Sequence, residues 1–88
     1  MKLMIVILRK KDCEPVIQAL VKDDFRVTRV ASTGGFLRQG NVTLLIGTDE
    51  DKIESTLKII RTNVEDPDRP EQARATVFVL NVSQFEQL

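Results

Sequence analysis

Four apolar runs, set apart by stretches with a helical period or with none, divide the chain. Leu3 to Leu8 is continuously apolar and reads as a central strand buried on both faces. Arg9-Lys10-Lys11 ends it as a solvated strand end. Asp12 then stands as an N-cap, with Pro15 in the first turn of a helix. Val16, Ile17, Leu20 and Val21 form the apolar face of that helix, which ends near Lys22-Asp23-Asp24. Phe25 to Val30 is a second strand, with Phe25 and Val27 on one side and Arg26 and Thr28 on the other. Val42 to Ile46 is a third. Thr48 or Asp49 caps a second helix, where Asp49, Glu50 and Asp51 place negative charge at its positive end. Ile53, Leu57, Ile60 and Val64 recur at helical spacing, with Ile59 beside them. Glu65 to Ala73 is polar, holds two prolines and reads as a mobile loop. Ala75 to Leu80 is the last strand. Phe85 and Leu88 are spaced to anchor a short tail by an i, i+3 contact.

The order is β-α-β-β-α-β, an α+β, ferredoxin-like arrangement. Right-handed crossovers place the first and third strands at the centre of a four-stranded antiparallel sheet, with both helices on one face. Every strand carries apolar residues on both of its sides. A lone protomer therefore leaves a large apolar patch bare, which predicts a homo-oligomer that covers it.

Length and charge narrow the function. The 88 residues suit a single domain, 1–88, and 13 basic residues balance 13 acidic ones. That balance gives no general pull toward polymeric nucleic acid or anionic membranes. No apolar run approaches the roughly 20 residues of a membrane helix, and nothing resembles a secretion signal. The lone Cys13 has no partner within the chain, which fits a reducing compartment. Histidine is absent, and with it the commonest general base and metal ligand. Cys13 accordingly reads as an inert thiol. Neither a cofactor nor a metal is expected.

The candidate chemistry lies between Phe25 and Gly47. Two strands flank a loop holding Gly34 and Gly35, followed at once by Phe36. Adjacent glycines let backbone amides approach an anion closely. Arg26 supplies a guanidinium and Thr28 a hydroxyl on one side of the strand. Such a set suits a nucleotide. The same residues also fit a plain hairpin whose polar side faces water and whose ring folds back on the core.

The motif Phe25-Arg-Val-Thr28, Ala31-Ser-Thr-Gly-Gly-Phe-Leu37 and Gly40-Asn-Val-Thr-Leu-Leu-Ile-Gly47 resembles the PII-like cyclic-di-AMP receptor proteins. Met1-Lys-Leu, Ala75-Thr-Val-Phe-Val-Leu80 and Phe85-Glu-Gln87 match as well, so nearly the whole chain takes part. The resemblance implies a PII-type homotrimer with ligand pockets between protomers. It implies that Arg26 and Thr28 line the pocket, that Gly35, Phe36 and Leu37 meet the nucleotide from the loop, and that Asn41 and Gly47 lie on the matching strand. Phe78 and Gln87 would come from the carboxyl-terminal part. The implied role is non-enzymatic: a cytoplasmic signalling protein that binds cyclic di-AMP and passes its state to a downstream protein. Three departures stand out. Asp24 replaces a frequent Asn, the loop before the last strand is short, and Ala73-Arg74 stands where glycines are frequent. They raise the alternative of a diverged PII-like scaffold that binds another nucleotide or only a protein. Acyl phosphate hydrolysis on the same scaffold fits least, for want of an activated nucleophile.

Overall fold

A computed structural model describes residues 1–30, 40–66 and 73–88. The strands are β1 (Lys2–Arg9), β2 (Val27–Val30), β3 (Asn41–Thr48) and β4 (Ala75–Asn81); the helices are α1 (Lys10–Lys22) and α2 (Ile53–Asn63). One antiparallel sheet runs in the order β2-β3-β1-β4. The two most apolar runs therefore occupy the centre, as the crossover rule requires.

Alternation along the central strands divides the sheet into two unlike faces. Met4, Val6 and Leu8 of β1 and Val42, Leu44 and Ile46 of β3 point to one side and are buried. Val16 and Leu20 of α1, Ile60 of α2 and Val64 just beyond it close over them as a single core. Leu3, Ile5, Ile7, Thr43 and Leu45 point to the other side and are only half-buried. Neither helix covers that open face, and Phe78 and Leu80 stand on it about half exposed.

The first helix differs from its sequence reading in three ways. It starts at Lys10, with Arg9 in the N-cap position and no side-chain cap, so Pro15 falls in the second turn. Its buried side is Asp12, Cys13, Val16 and Leu20, while Val21 is exposed. The apolar arc is centred nearer the amino end than the leucine and valine spacing indicates. Asp12 does not cap the helix. Its buried carboxylate accepts from Arg9 Nε at 2.9 Å and from the backbone N–H of Glu65 at 3.2 Å.

Arg9 is likewise not a solvated strand end. Its guanidinium also donates to the carbonyl oxygens of Glu65 and Asp66. Arg9 and Asp12 together fasten the chain leaving α2 to the start of α1. Lys11 adds an exposed pair with Glu65 at 3.1 Å, which contributes little in water.

The far end of α1 closes in a Schellman motif. Asp24 N–H donates to the Val21 carbonyl and Phe25 N–H to the Leu20 carbonyl, both at 3.0 Å. Asp24 occupies the left-handed position, with φ 66°. Glycine and asparagine serve best there, and a carboxylate also meets the negative end of the helix dipole. Because Phe25 belongs to this closure, β2 begins at Val27 rather than at Phe25.

At the start of α2 neither proposed cap acts as one. Asp49 makes no side-chain cap bond, and the chain first takes a short 3-10 turn, Glu50–Lys52. Thr48 Oγ1 is buried without a partner among the described residues. The three acidic residues still stand at the amino end, where the dipole favours them. The carboxyl tail is not the anchored segment that its spacing predicts. Phe85 is 63% exposed and Leu88 is fully exposed.

Candidate functional site

The open face carries the candidate site. Register places Thr28 beside Leu45, Leu45 beside Ile5, and Ile5 beside Phe78, in one row across all four strands. The next row holds Gly47, Leu3 and Leu80. Side chains alternate along a strand, so Asn41, Thr43, Leu45 and Gly47 share the face on which Thr28 stands.

A cavity of about 580 Å³ opens over the end of this face. Its walls include Arg26, Thr28, Gly47 and Gln87, with Leu3, Leu45 and Phe85 as apolar surface and Met1 at one side. Ligand cavities commonly measure roughly 300–1,000 Å³ and combine apolar walls with a few polar groups. Arg26 and Thr28 reach the cavity because β2 is an edge strand. Gly47 leaves the floor low beside them.

Gln87 arrives by a long path. Asn81 pairs with Lys2 at the opposite edge of the sheet from β2. To line the same cavity as Arg26, the tail must cross the open face. Strands lie about 4.8 Å apart, so the crossing is roughly 14 Å. Residues 82–87, extended at about 3.3 Å each, cover it with length to spare. The described backbone bond that holds the tail joins Val82 N–H to the Met1 carbonyl at 3.1 Å.

Four of the nine residues expected at the site, Arg26, Thr28, Gly47 and Gln87, thus line one cavity. Two others share its face but lie apart from it. Asn41 pairs with Arg9 at the other end of β3 from Gly47, about 20 Å away at strand rise. Phe78 lies on β4, across two strands from Thr28. Gly35, Phe36 and Leu37 fall outside the described residues. Leu45, Met1 and Phe85 were not expected as lining. Leu45 follows from the register with Thr28; Met1 and Phe85 follow only from the path of the two termini.

The electrostatics are simple. Arg26 is exposed and makes no ion pair with a described carboxylate. Arg29, three residues on in β2, instead turns to Glu14 of α1 at 3.7 Å. Asp24 does not line the cavity. It borders a separate hollow of about 310 Å³, which shares Met1, Arg26 and Gly47 with it. Arg74 is remote too, at the start of β4, where it pairs with Asp66 at 3.4 Å beside α2. Arg74 therefore neither blocks this cavity nor adds a cation to it within one protomer. Cys13 is buried under α1. Burial pushes its thiol above the ordinary value, and the positive charge of Arg29 opposes that only in part. A thiol so placed is a poor nucleophile.

No described helix is long and apolar enough to cross a membrane. The chain is similar over 99% of its length to a solved protein from Pediococcus pentosaceus ATCC 25745, described as functionally unknown. The two share 35% identity and superpose with a TM-score of 0.76, and 96% of that protein is covered, so they match almost end to end. A family model described as cyclic-di-AMP receptor matches residues 1–72. That match takes in β2, β3 and the glycine-bearing sequence between them, and the chain belongs to the cyclic-di-AMP receptor family.

Proposed function

We propose that the chain acts as one domain and is a non-enzymatic cytoplasmic signalling protein that binds cyclic di-AMP. The observation that carries this reading is the meeting of Arg26, Thr28, Gly47 and Gln87 in one cavity on an otherwise apolar face. A cyclic dinucleotide presents two phosphodiesters and two adenines. Guanidinium and hydroxyl groups suit the phosphates. An amide side chain suits the edge of a base, and apolar walls suit its faces.

The assembly is a homotrimer in this reading, with the open faces turned toward one another. Half-exposed Ile5, Leu45, Phe78 and Leu80 form the surface to be covered. Phe78 is too far from Thr28 to serve the same cavity within one protomer. It serves a neighbour's cavity, so that each site lies between protomers. Asn41, at the distal end of the strand pair, meets the second half of an elongated ligand. Gly35, Phe36 and Leu37 close over it from the loop. Binding changes which surface the loops present to a downstream protein.

The test is a thermal shift against a panel of nucleotides. A ligand held only by the folded form raises the melting temperature by mass action. Cyclic di-AMP should raise it and AMP should not, and Arg26→Ala should remove the response. An equal response to every nucleotide, or none to cyclic di-AMP, refutes the reading. A shift with a different nucleotide alone would favour the diverged-scaffold alternative. What favours that alternative is Asp24, whose carboxylate borders the hollow shared with Arg26.

A further inference from the structure

Phe85 has no place in the core. It stands 63% exposed on a tail that lines the same cavity as Arg26 and Thr28. An aromatic ring left in water at the edge of an apolar surface is costly unless something covers it. Residues 83–88 make no hydrogen bond to any described residue, so the ring is free to settle onto an incoming surface. Arg26 and Thr28 line the same cavity and would hold a phosphate within reach of it.

We propose that Phe85 is a base-stacking residue of this cavity. The inference rests on the nucleotide reading above and deepens it. A base has two faces. Leu45 and Leu3 offer a flat apolar floor for one, and the Phe85 ring covers the other. The tail then becomes a strap across the open face, tightened by the ligand it helps to hold.

The chain contains no tryptophan and no tyrosine, so Phe85→Trp would carry its sole indole. Addition of cyclic di-AMP should quench that emission, with a midpoint matching the calorimetric one. Phe85→Ala should bind cyclic di-AMP about 5- to 150-fold more weakly, the range for loss of one base–aromatic stack. Phe85→Leu should recover only part of the loss, since it restores apolar area without a ring. If wild type and Phe85→Ala bind alike, and the indole emission stays unchanged while heat is released, the inference is wrong and the nucleotide reading survives. If Phe85→Ala instead sediments as a smaller species while the indole stays silent, the ring is an interprotomer contact and the inference is overturned. If wild type releases no heat while remaining folded and assembled, the nucleotide reading fails and takes this one with it.

Discussion

A Cβ placed on Gly47 would stand 3.4 Å from Cε of Met1, ordinary contact with the far end of a flexible side chain. Gly47 has no left-handed backbone angle to protect, so the position tolerates a side chain. Glycine inside a strand lowers stability relative to alanine by roughly 0.5–1 kcal/mol. In the proposed reading its presence serves the cavity rather than the fold. Gly47→Ala should raise the melting temperature slightly and weaken cyclic di-AMP binding. Calorimetry on both properties checks this, and a variant that is less stable but binds normally would contradict it.

Asp24 makes the opposite point about the end of α1. Its φ of 66° suits asparagine, and its charge opposes the helix dipole. Asp24→Asn should stabilise the protein by about 0.3–1 kcal/mol, seen as a rise of a few degrees in the melting temperature. Removing a carboxylate from the hollow beside Arg26 should also tighten nucleotide binding rather than weaken it.

Asp12 joins three chain segments through Arg9 and the Glu65 amide. Asp12→Ala leaves the part-buried Glu65 N–H and the Arg9 guanidinium without their acceptor, which costs about 1–3 kcal/mol. The melting temperature should fall by several degrees per kcal/mol in a domain of this size. Arg26 and Gly47 lie at the other end of the sheet, so any loss of affinity measured well below the melting point should be small and arise through Asn41, which pairs with Arg9.

Cys13 gives a pH prediction. Burial raises its folded pKa above the ordinary value of 9.0. The folded state then holds the proton more firmly than the unfolded chain does. The stability this provides is complete below pH 9.0 and is lost as pH rises toward the higher folded value. Denaturant midpoints should therefore decline above about pH 9, and Cys13→Ala should flatten that decline. A thiol reagent should label native protein slowly and unfolded protein at once, which a mass-spectrometric time course measures.

The central strands were legible because Leu3–Leu8 holds no polar residue and Val42–Ile46 holds only Thr43. Once those two are placed at the centre, the strand order follows. Sharing of one side by Arg26 and Thr28 was legible from their spacing alone. The role of Asp12 was not, because its partner Glu65 lies far along the chain and a backbone amide leaves no trace in sequence. Val21 was misplaced because a four-residue apolar set cannot fix the centre of a helical arc when Cys13 extends it. Phe85 and Leu88 misled for a related reason. Their spacing describes a local contact, while the tail's course is set by where β4 ends and which face lies open.

The open face supplies a further test of assembly. Phe78 stands half exposed on its edge strand β4, beside Ile5. Phe78→Glu would set a charge where protomers are proposed to meet, and burying an unpaired charge is costly. Sedimentation should show the trimer replaced by a smaller species, with cyclic di-AMP affinity lost in parallel. A Phe78→Glu protein that remains trimeric would place the interface elsewhere.

The claim on which the account rests is that Arg26 and its neighbours hold cyclic di-AMP. Isothermal titration of cyclic di-AMP into the purified assembly addresses it most directly. Saturable binding at one ligand per protomer, abolished or greatly weakened by Arg26→Ala, is the predicted result. A flat titration against folded, assembled protein, or binding indifferent to Arg26→Ala, would contradict it.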